Sequence, residues 1–288
     1  MKPFDYLLYA VVVFGWSTSW LPLKYQLGVV APEVSLFWRF GFAAMLMFIV
    51  TRVSGYRLGF AWRDHLRFMA LGLCLFSTNF ALFYYGGIYA ASGLLAVVFS
   101  TASLVNVIMI AVISRTAPRP LHLVAAVVGL GGVALIYWPE MNSGVFALLS
   151  LSLCFGGTLF FCTGNMVSAS TQRAGISVWS ANSWGMLYGT IILGVVSLVR
   201  GHPFIMEFTA VYIGGLIWLV VISSVLTFTS YLMLLGRIGA GKAGYATVVF
   251  PVFALLLSTM FESYTWSSFA FVGMALVVAG NVIMVRVR

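Results

Sequence analysis

The sequence predicts an all-α membrane protein of ten transmembrane helices, arranged as two inverted five-helix repeats. Three observations lead to this fold class. The chain of 288 residues is 62% hydrophobic and 7% charged, with a mean hydropathy of +1.07. It divides into apolar runs of roughly 20 residues, the length of helix that crosses the ~30 Å hydrocarbon layer of a bilayer. Finally, short segments of the first half recur in the second half in the same order.

The apolar runs are separated by turn formers and charged residues, which place the ends of the helices. Breaks fall at Ala31-Pro32-Glu33, between Arg52 and Asp64, and at residues 117–120, 139–142 and 201–203. None of them is long enough for a soluble domain. Residues 1–140 and 141–288 are therefore predicted to be two repeats of one membrane unit. The predicted spans are 5–25, 34–51, 66–88, 92–114, 121–138, 145–167, 177–199, 210–235, 242–262 and 267–285.

The positive charges predict the orientation of the chain. If the N-terminus is cytoplasmic, 12 of the 15 Lys and Arg residues lie in cytoplasmic segments, and only Lys24 and Arg200 lie outside. The remaining one, Arg39, falls inside a span. Cytoplasmic loops of membrane proteins carry an excess of Lys and Arg, so both termini are predicted to be cytoplasmic. The net charge of +9 is then a signal of topology, and no nucleic-acid partner is expected.

Acidic residues are absent from the middle of every predicted span. A carboxylate buried within a membrane is the usual carrier of protons or cations in a transporter. Its absence predicts a transporter that lacks a proton relay and moves its substrate by facilitated diffusion. The six carboxylates, all at or beside breaks, are Asp5, Glu33, Asp64, Glu140, Glu207 and Glu262.

An internal repeat supports the division into two halves. The segment 93–99 (GLLAVVF) recurs as 244–250 (GYATVVF), and Phe14-Gly15-Trp16-Ser17 is echoed by residues 155–158. Because five helices are an odd number, the second copy must enter the membrane with the opposite orientation. Inverted repeats of this kind underlie alternating access, with the substrate between the halves near the bilayer midplane. A chance similarity between apolar helices is the alternative.

The residues resemble those of a known family. Phe14-Gly15-Trp16-Ser17, followed by Lys24, Pro32 and Trp38-Arg39-Phe40, is similar to the first two helices of the drug/metabolite transporter superfamily, which has EamA-type repeats. Segments 93–99 and 244–251 resemble its fourth and ninth helices, with Glu262 closing the ninth. Two positions depart from the family pattern: Ser100 stands where proline is frequent, although Pro251 retains it, and Phe14 replaces a frequent tryptophan.

This resemblance implies a ten-helix exporter of small organic metabolites in a bacterial inner membrane. The size, charge pattern and aromatic content are most similar to exporters of aromatic amino acids. The expected function is therefore export of amphipathic metabolites, with aromatic or apolar amino acids as the leading substrates. Two alternatives remain open, namely a proton-coupled drug or metabolite antiporter and a membrane scaffold that transports nothing.

Polar and aromatic side chains inside the spans are the candidates for substrate contact. Arg39 is expected to reach the outer lipid headgroups, with binding of a substrate carboxylate as the alternative. For the hydroxyls the alternative is interhelical hydrogen bonding, and for the rings it is core packing. The predicted substrate-binding residues are Trp16, Ser17, Arg39, Asn79, Tyr84, Ser100, Phe161, Trp184 and Tyr245, and the predicted hinge or kink positions are Gly15, Gly156 and Pro251.

Enzymatic function is not expected. His65, His122 and His202 lie in three separate inter-helix regions, and the sequence has neither an HExxH motif nor a glycine-rich phosphate loop. Three cysteines at unrelated positions indicate neither a disulfide framework nor a metal site. No catalytic residue, cofactor or metal is predicted. The expected partners are a small-molecule substrate and the lipid bilayer.

Overall fold

The structure is a computed structural model that describes residues 2–117, 120–141, 145–239, 243 and 246–286. These residues form ten helical segments, each of which matches one predicted span, so the all-α prediction is confirmed. Eight of them are long and apolar enough to cross a membrane, and the last two are shorter apolar helices. The segments are α1 (Pro3–Lys24), α2 (Pro32–Val53), α3 (Trp62–Tyr89), α4 (Ser92–Ile113), α5 (Pro120–Met141), α6 (Val145–Arg173), α7 (Val178–Val199), α8 (Ala210–Ile238), α9 (Ala246–Phe261) and α10 (Ser268–Arg286).

The helix ends follow from local sequence signals. Proline occupies the first position of α2, where its missing N–H leaves no helical hydrogen bond unmade. Hydroxyls cap the starts of α7 and α8, because Ser177 Oγ accepts a hydrogen bond from Ser180 N and Thr209 Oγ1 accepts one from Tyr212 N. Gly175, with φ of +81°, follows α6 in the left-handed conformation that commonly ends a helix.

Helices that occupy the same position in the two halves pack against each other. The closest associations of this kind are α5 with α10, α2 with α7, and α4 with α9. Contacts between different positions are also duplicated, since α1 packs on α8 and α9 as α6 packs on α3 and α4. A pseudo-two-fold axis between two inverted five-helix repeats accounts for both kinds of contact.

Four of the described spans depart from regular α-helical geometry, and one of them, α4, is interrupted at Thr101. Helix α1 is interrupted at Thr18, and its last turn restarts at Trp20. Helices α3 and α8 contain π-helical stretches at Cys74–Thr78 and Leu219–Thr227. Because α3 and α8 are equivalent helices of the two repeats, the stretch is itself duplicated. Nothing in the sequence predicts these stretches, and π-helical turns are frequent at functional sites.

Glycines bring the backbones of α5 and α10 together. A Cβ atom added to Gly132 would lie 2.6 Å from the carbonyl oxygen of Gly273, and one added to Gly273 would lie 2.6 Å from that of Gly132. Further along the two helices, a Cβ atom added to Gly280 would lie 2.6 Å from the backbone nitrogen of Gly129. Small residues at a crossing let membrane helices approach closely enough for extensive van der Waals contact.

Replacing Gly132 by alanine is expected to destabilise this crossing. The two backbones must separate to admit the new methyl group, and overpacking of this kind costs about 1–3 kcal/mol. We expect a lower melting temperature for Gly132→Ala when the purified protein is unfolded in detergent. Gly131→Ala is the matched control, because a Cβ atom there meets nothing within 4 Å. Equal melting temperatures for the two variants would contradict the close crossing.

Candidate functional site

A small closed cavity lies at the centre of the bundle, at the irregular parts of α1, α3 and α8. Its volume is about 30 Å³, roughly the share of one water molecule in the liquid. A cavity of this size has room for water only, so a larger solute requires the helices to move apart. The residues that line it are Trp16, Ser19, Trp20, Leu23, Arg39, Asn79, Phe80, Phe83, Phe99, Leu219, Ser223 and Phe228.

Aromatic side chains make up half of the residues of the cavity wall, with the indole of Trp16 in the middle. Its ring centroid lies 5.6 Å from that of Phe99 and 5.4 Å from that of Phe228, both in edge-on arrangements. Trp20 contacts Phe83 at 5.3 Å on another side of the cavity. Edge-to-face and offset arrangements are the favourable geometries for such pairs. The wall therefore offers ring faces and edges to an apolar or aromatic solute.

Arg39 is the charged residue of the cavity wall, and its side chain is 0% exposed. Its Nε donates to Ser224 Oγ at 3.0 Å, and its Nη2 donates to Ser223 Oγ at 3.1 Å. The guanidinium carbon lies 4.4 Å from the ring centroid of Phe80. The expectation that Arg39 reaches the lipid headgroups is wrong, because α3 and α8 enclose the side chain on the inside of the bundle.

The guanidinium of Arg39 has no acidic partner among the described residues. Every ion pair found in that part of the chain involves Glu33 or Asp5, with other cations. In addition, Arg39 Nη1 makes no hydrogen bond to any described group. A charge removed from water costs several kcal/mol unless it is paired. Neutral hydroxyls and a ring face compensate only part of that cost, so the site is electrostatically suited to an anionic group.

The π-helical stretches position the polar groups of the cavity. Ser223 and Ser224 both lie within the stretch of α8, which turns these neighbouring hydroxyls toward the same guanidinium. Asn79 follows directly after the stretch of α3, and its Oδ1 accepts a hydrogen bond from Phe80 N at 2.7 Å. Within the α3 stretch, Ser77 Oγ donates to the carbonyl of Gly72, five residues earlier, at 2.8 Å.

Six of the predicted site residues lie at the cavity or near it. Trp16, Arg39 and Asn79 line it. Phe161 packs behind Trp16, with ring centroids 5.8 Å apart. Tyr84 is fully buried beside the Arg39 guanidinium. Ser100 is also buried, but its hydroxyl donates to the carbonyl of Val97 at 2.7 Å within its own helix, so it does not line the cavity.

The structure does not bring the other predicted site residues to the cavity. Ser17 lines an apolar groove between α1 and α9 instead. Trp184 packs edge-on against His65 at 4.6 Å, and its indole nitrogen donates to the carbonyl of Leu58 at 3.0 Å near the start of α3. Tyr245 lies outside the described residues. Trp184 is therefore a packing residue between α7 and the segment that joins α2 to α3.

The three predicted hinge positions differ in their surroundings. A Cβ atom on Gly15 would overlap the hydroxyl of Thr227, so this glycine permits the contact of α1 with α8. Around Gly156 the nearest atom, in Leu82, would be 3.5 Å away, which leaves room for a methyl group. Pro251 lies inside α9, next to Phe250, whose ring contacts that of Trp16 at 6.2 Å. Their role as hinges stays a prediction.

Ion pairs and polar contacts fasten the face of the bundle opposite the N-terminus, here called the distal face. Glu33, 1% exposed at the start of α2, is bound there by Arg200 and by the hydroxyl of Tyr85. The negative charge of Glu33 raises the pKa of the Arg200 guanidinium above its ordinary value. At the same face, the Glu262 carboxylate accepts hydrogen bonds from the backbone and hydroxyl of Ser92, at the start of α4.

The face of the bundle at which the chain begins is here called the N-terminal face. A single ion pair found there joins Asp5 Oδ1 to Arg237 Nε at 2.5 Å, between α1 and α8. Beside it, α4, α6 and α8 surround a depression of about 520 Å³, which we call the vestibule. Each helix contributes to the lining, α4 through Ile110, α6 through Ala169 and α8 through Leu235. The vestibule is large enough for a metabolite of amino-acid size.

Sequence reasoning missed several aromatic members of the cavity wall, namely Trp20, Phe80, Phe83, Phe99 and Phe228. One signal was available, because Phe99 and Phe250 end the two copies of the repeated segment. Their rings lie 5.8 Å apart. The end of the repeat therefore marks two rings that meet beside Trp16. As for metals, the described residues contain no group of three or more His, Cys, Asp or Glu side chains that could hold an ion.

Comparison with known proteins is consistent with this architecture. An archaeal uncharacterized transporter from Archaeoglobus fulgidus is 24% identical over 293 residues, covering 98% of this chain and 99% of its own. Protein PagO of Salmonella typhimurium is 22% identical over 269 residues, covering 91% and 86%. A solved crystal structure superposes with a TM-score of 0.74 at 15% identity, over 98% of this chain and 96% of that one, and so shares the fold.

A family model describes the two halves separately. The model of the EamA-like transporter family matches residues 4–138 and again residues 142–286, so it covers almost the whole chain in two copies. This chain is therefore a multi-pass membrane protein and a transporter that belongs to the EamA-like transporter family.

Proposed function

We propose that this protein exports small amphipathic metabolites across a bacterial inner membrane, with aromatic or apolar amino acids as its main substrates. The observation that carries the proposal is the fully buried Arg39, which has no acidic partner among the described residues and lies in a wall of aromatic rings. A carboxylate on the solute supplies the missing counter-charge through charge-assisted hydrogen bonds. The rings of Trp16, Phe99 and Phe228 take up the apolar or aromatic side chain.

The proposed mechanism is alternating access. The cavity is too small for a substrate when both faces are closed, so a solute enters only when one face opens. The duplicated contacts of α1 with α8 and α9, and of α6 with α3 and α4, provide two equivalent sets of gates. Exchange of conformation between the halves then opens the cavity to the other side of the membrane.

Transport is proposed to run down the substrate gradient without coupled protons. No carboxylate is among the residues that line the cavity in the described part of the chain. The buried acids Asp5 and Glu33 lie instead at the two ends of the bundle, where arginines neutralise them. A proton-coupled antiporter of cationic drugs needs an anionic group in the binding site, and nothing on the described cavity wall supplies one.

Replacing Arg39 by methionine is expected to impair transport and stabilise the protein. Loss of a charged hydrogen-bond donor costs about 1.5–3 kcal/mol, which corresponds to a rise in KM of at least tenfold for L-phenylalanine in liposome counterflow. The melting temperature is expected to rise, because an uncompensated buried charge is removed. Arg63→Met is the control, since Arg63 is exposed. Unchanged KM in Arg39→Met would overturn the proposed role.

A pH gradient imposed at zero membrane potential is expected to leave the initial rate of L-phenylalanine uptake into proteoliposomes unchanged, within about twofold. The reason is the lack of a titratable carboxylate on the described cavity wall. Uptake of a cationic dye is expected to remain at the level of protein-free liposomes. Strong stimulation by the gradient, together with dye transport, would favour the antiporter, whereas no flux of any solute would favour a scaffold.

Both termini are expected to face the cytoplasm. With this orientation, 12 Lys and Arg residues lie on the cytoplasmic side and two lie outside, as the positive-inside rule predicts. A reporter that is active only in the cytoplasm, fused in turn to each end of the chain, is expected to be active in both fusions. Fusion at the loop around Arg200 serves as the control and is expected to be inactive. Activity at one terminus alone would contradict an even number of crossings.

A further inference from the structure

A layer of polar side chains separates the vestibule from the aromatic cavity. Asn106, Asn165 and Tyr231 lie four residues before Ile110, Ala169 and Leu235, which line the vestibule on α4, α6 and α8. All three helices end at the N-terminal face, so four residues earlier is one turn, or about 6 Å, deeper in the bundle on the same side of the helix. We call these three residues the amide layer.

The amide layer is fully buried and only partly satisfied. Asn165 Nδ2 donates to Tyr231 Oη at 3.0 Å and to Asn106 Oδ1 at 3.3 Å, and all three residues are 0% exposed. Asn165 Oδ1 and Asn106 Nδ2 make no hydrogen bond to the rest of the described chain. Buried polar atoms are nearly always paired, so one acceptor and one donor without protein partners at the same place call for an explanation.

The amide layer is in direct contact with the aromatic wall on its other side. The ring of Tyr231 lies 4.8 Å from that of Trp16 and 5.4 Å from that of Phe161, which is one turn deeper than Asn165 on α6. Vestibule, amide layer and aromatic cavity therefore follow one another along the same helices. Ser224, which binds Arg39, lies seven residues before Tyr231 on α8, and is therefore about 10 Å further from the N-terminal face.

We propose that the amide layer is an inner binding site for the zwitterionic head group of an amino-acid substrate as it moves from the vestibule to the cavity. Asn165 Oδ1 accepts a hydrogen bond from the substrate ammonium, and Asn106 Nδ2 donates one to its carboxylate. This inference rests on the proposed function and deepens it. Binding by two neutral amides leaves no fixed charge that would retain the solute, whose carboxylate then passes on to Arg39.

The amide layer is expected to distinguish solutes by their ammonium and carboxylate groups. Residues that only pack the helices together would not distinguish them. In counterflow of L-phenylalanine by proteoliposomes, Asn165→Leu is expected to raise KM about tenfold, as the loss of a hydrogen bond to a charged group does. In the same Asn165→Leu variant, the inhibition constant of 3-phenylpropionate, which lacks the ammonium, is expected to stay within about threefold of the wild-type value. Asn165→Asp is expected to strengthen inhibition by 2-phenylethylamine about tenfold, because the introduced carboxylate pairs with the ammonium of that compound.

Thr163→Val is the matched control on the same helix, because Thr163 is exposed and its hydroxyl bonds to Leu159 within α6. We expect it to match wild type with all three compounds. No L-phenylalanine counterflow by the wild type would overturn the proposed function and the inner site together. Normal counterflow by the wild type with an unchanged KM in Asn165→Leu, or an equal loss for 3-phenylpropionate, would overturn the inner site alone.

Discussion

The positive charge of Arg39 is the constraint on which the functional part of the structure depends. A guanidinium inside an apolar bundle is costly unless something replaces water around it. Here two adjacent hydroxyls of α8 and the ring of Phe80 do so, and α8 departs from α-helical geometry where it supplies them. Because none of the described partners is anionic, the charge is only partly compensated. The remaining electrostatic energy is available to a substrate that brings a carboxylate.

Duplication provides the frame that holds this charge near the centre. An odd number of helices in each half inverts the second copy, and equivalent helices then meet across the pseudo-two-fold axis. Glycine allows that meeting at more than one pair, since a Cβ atom on Gly93 would lie 2.7 Å from Leu255 Cα, between α4 and α9. The reciprocal approach of Gly132 and Gly273 does the same for α5 and α10. These tight contacts hold the two repeats together along the axis.

The sequence predicts the helices and their inverted order well, but it does not predict which side of each helix faces the cavity. In water an apolar stripe marks the buried side of a helix, whereas lipid tails are as apolar as a protein core. Trp184 and Phe161 therefore carry the same signal in the sequence, although only Phe161 packs beside Trp16. Arg39 was misplaced for a related reason, because its position near a helix end is compatible with both the headgroups and the interior.

The positions of the acids explain how the bundle closes without placing a fixed negative charge beside the substrate. Glu33 and Glu262 join helices at the distal face, where Arg200, Tyr85 and Ser92 hold them. At the N-terminal face, Asp5 pairs with Arg237 beside an open vestibule. Opening the distal face must break the Glu33–Arg200 pair, and opening the N-terminal face must break the Asp5–Arg237 pair. Both faces are therefore closed by an arginine paired with a buried carboxylate, in keeping with a fold that is repeated.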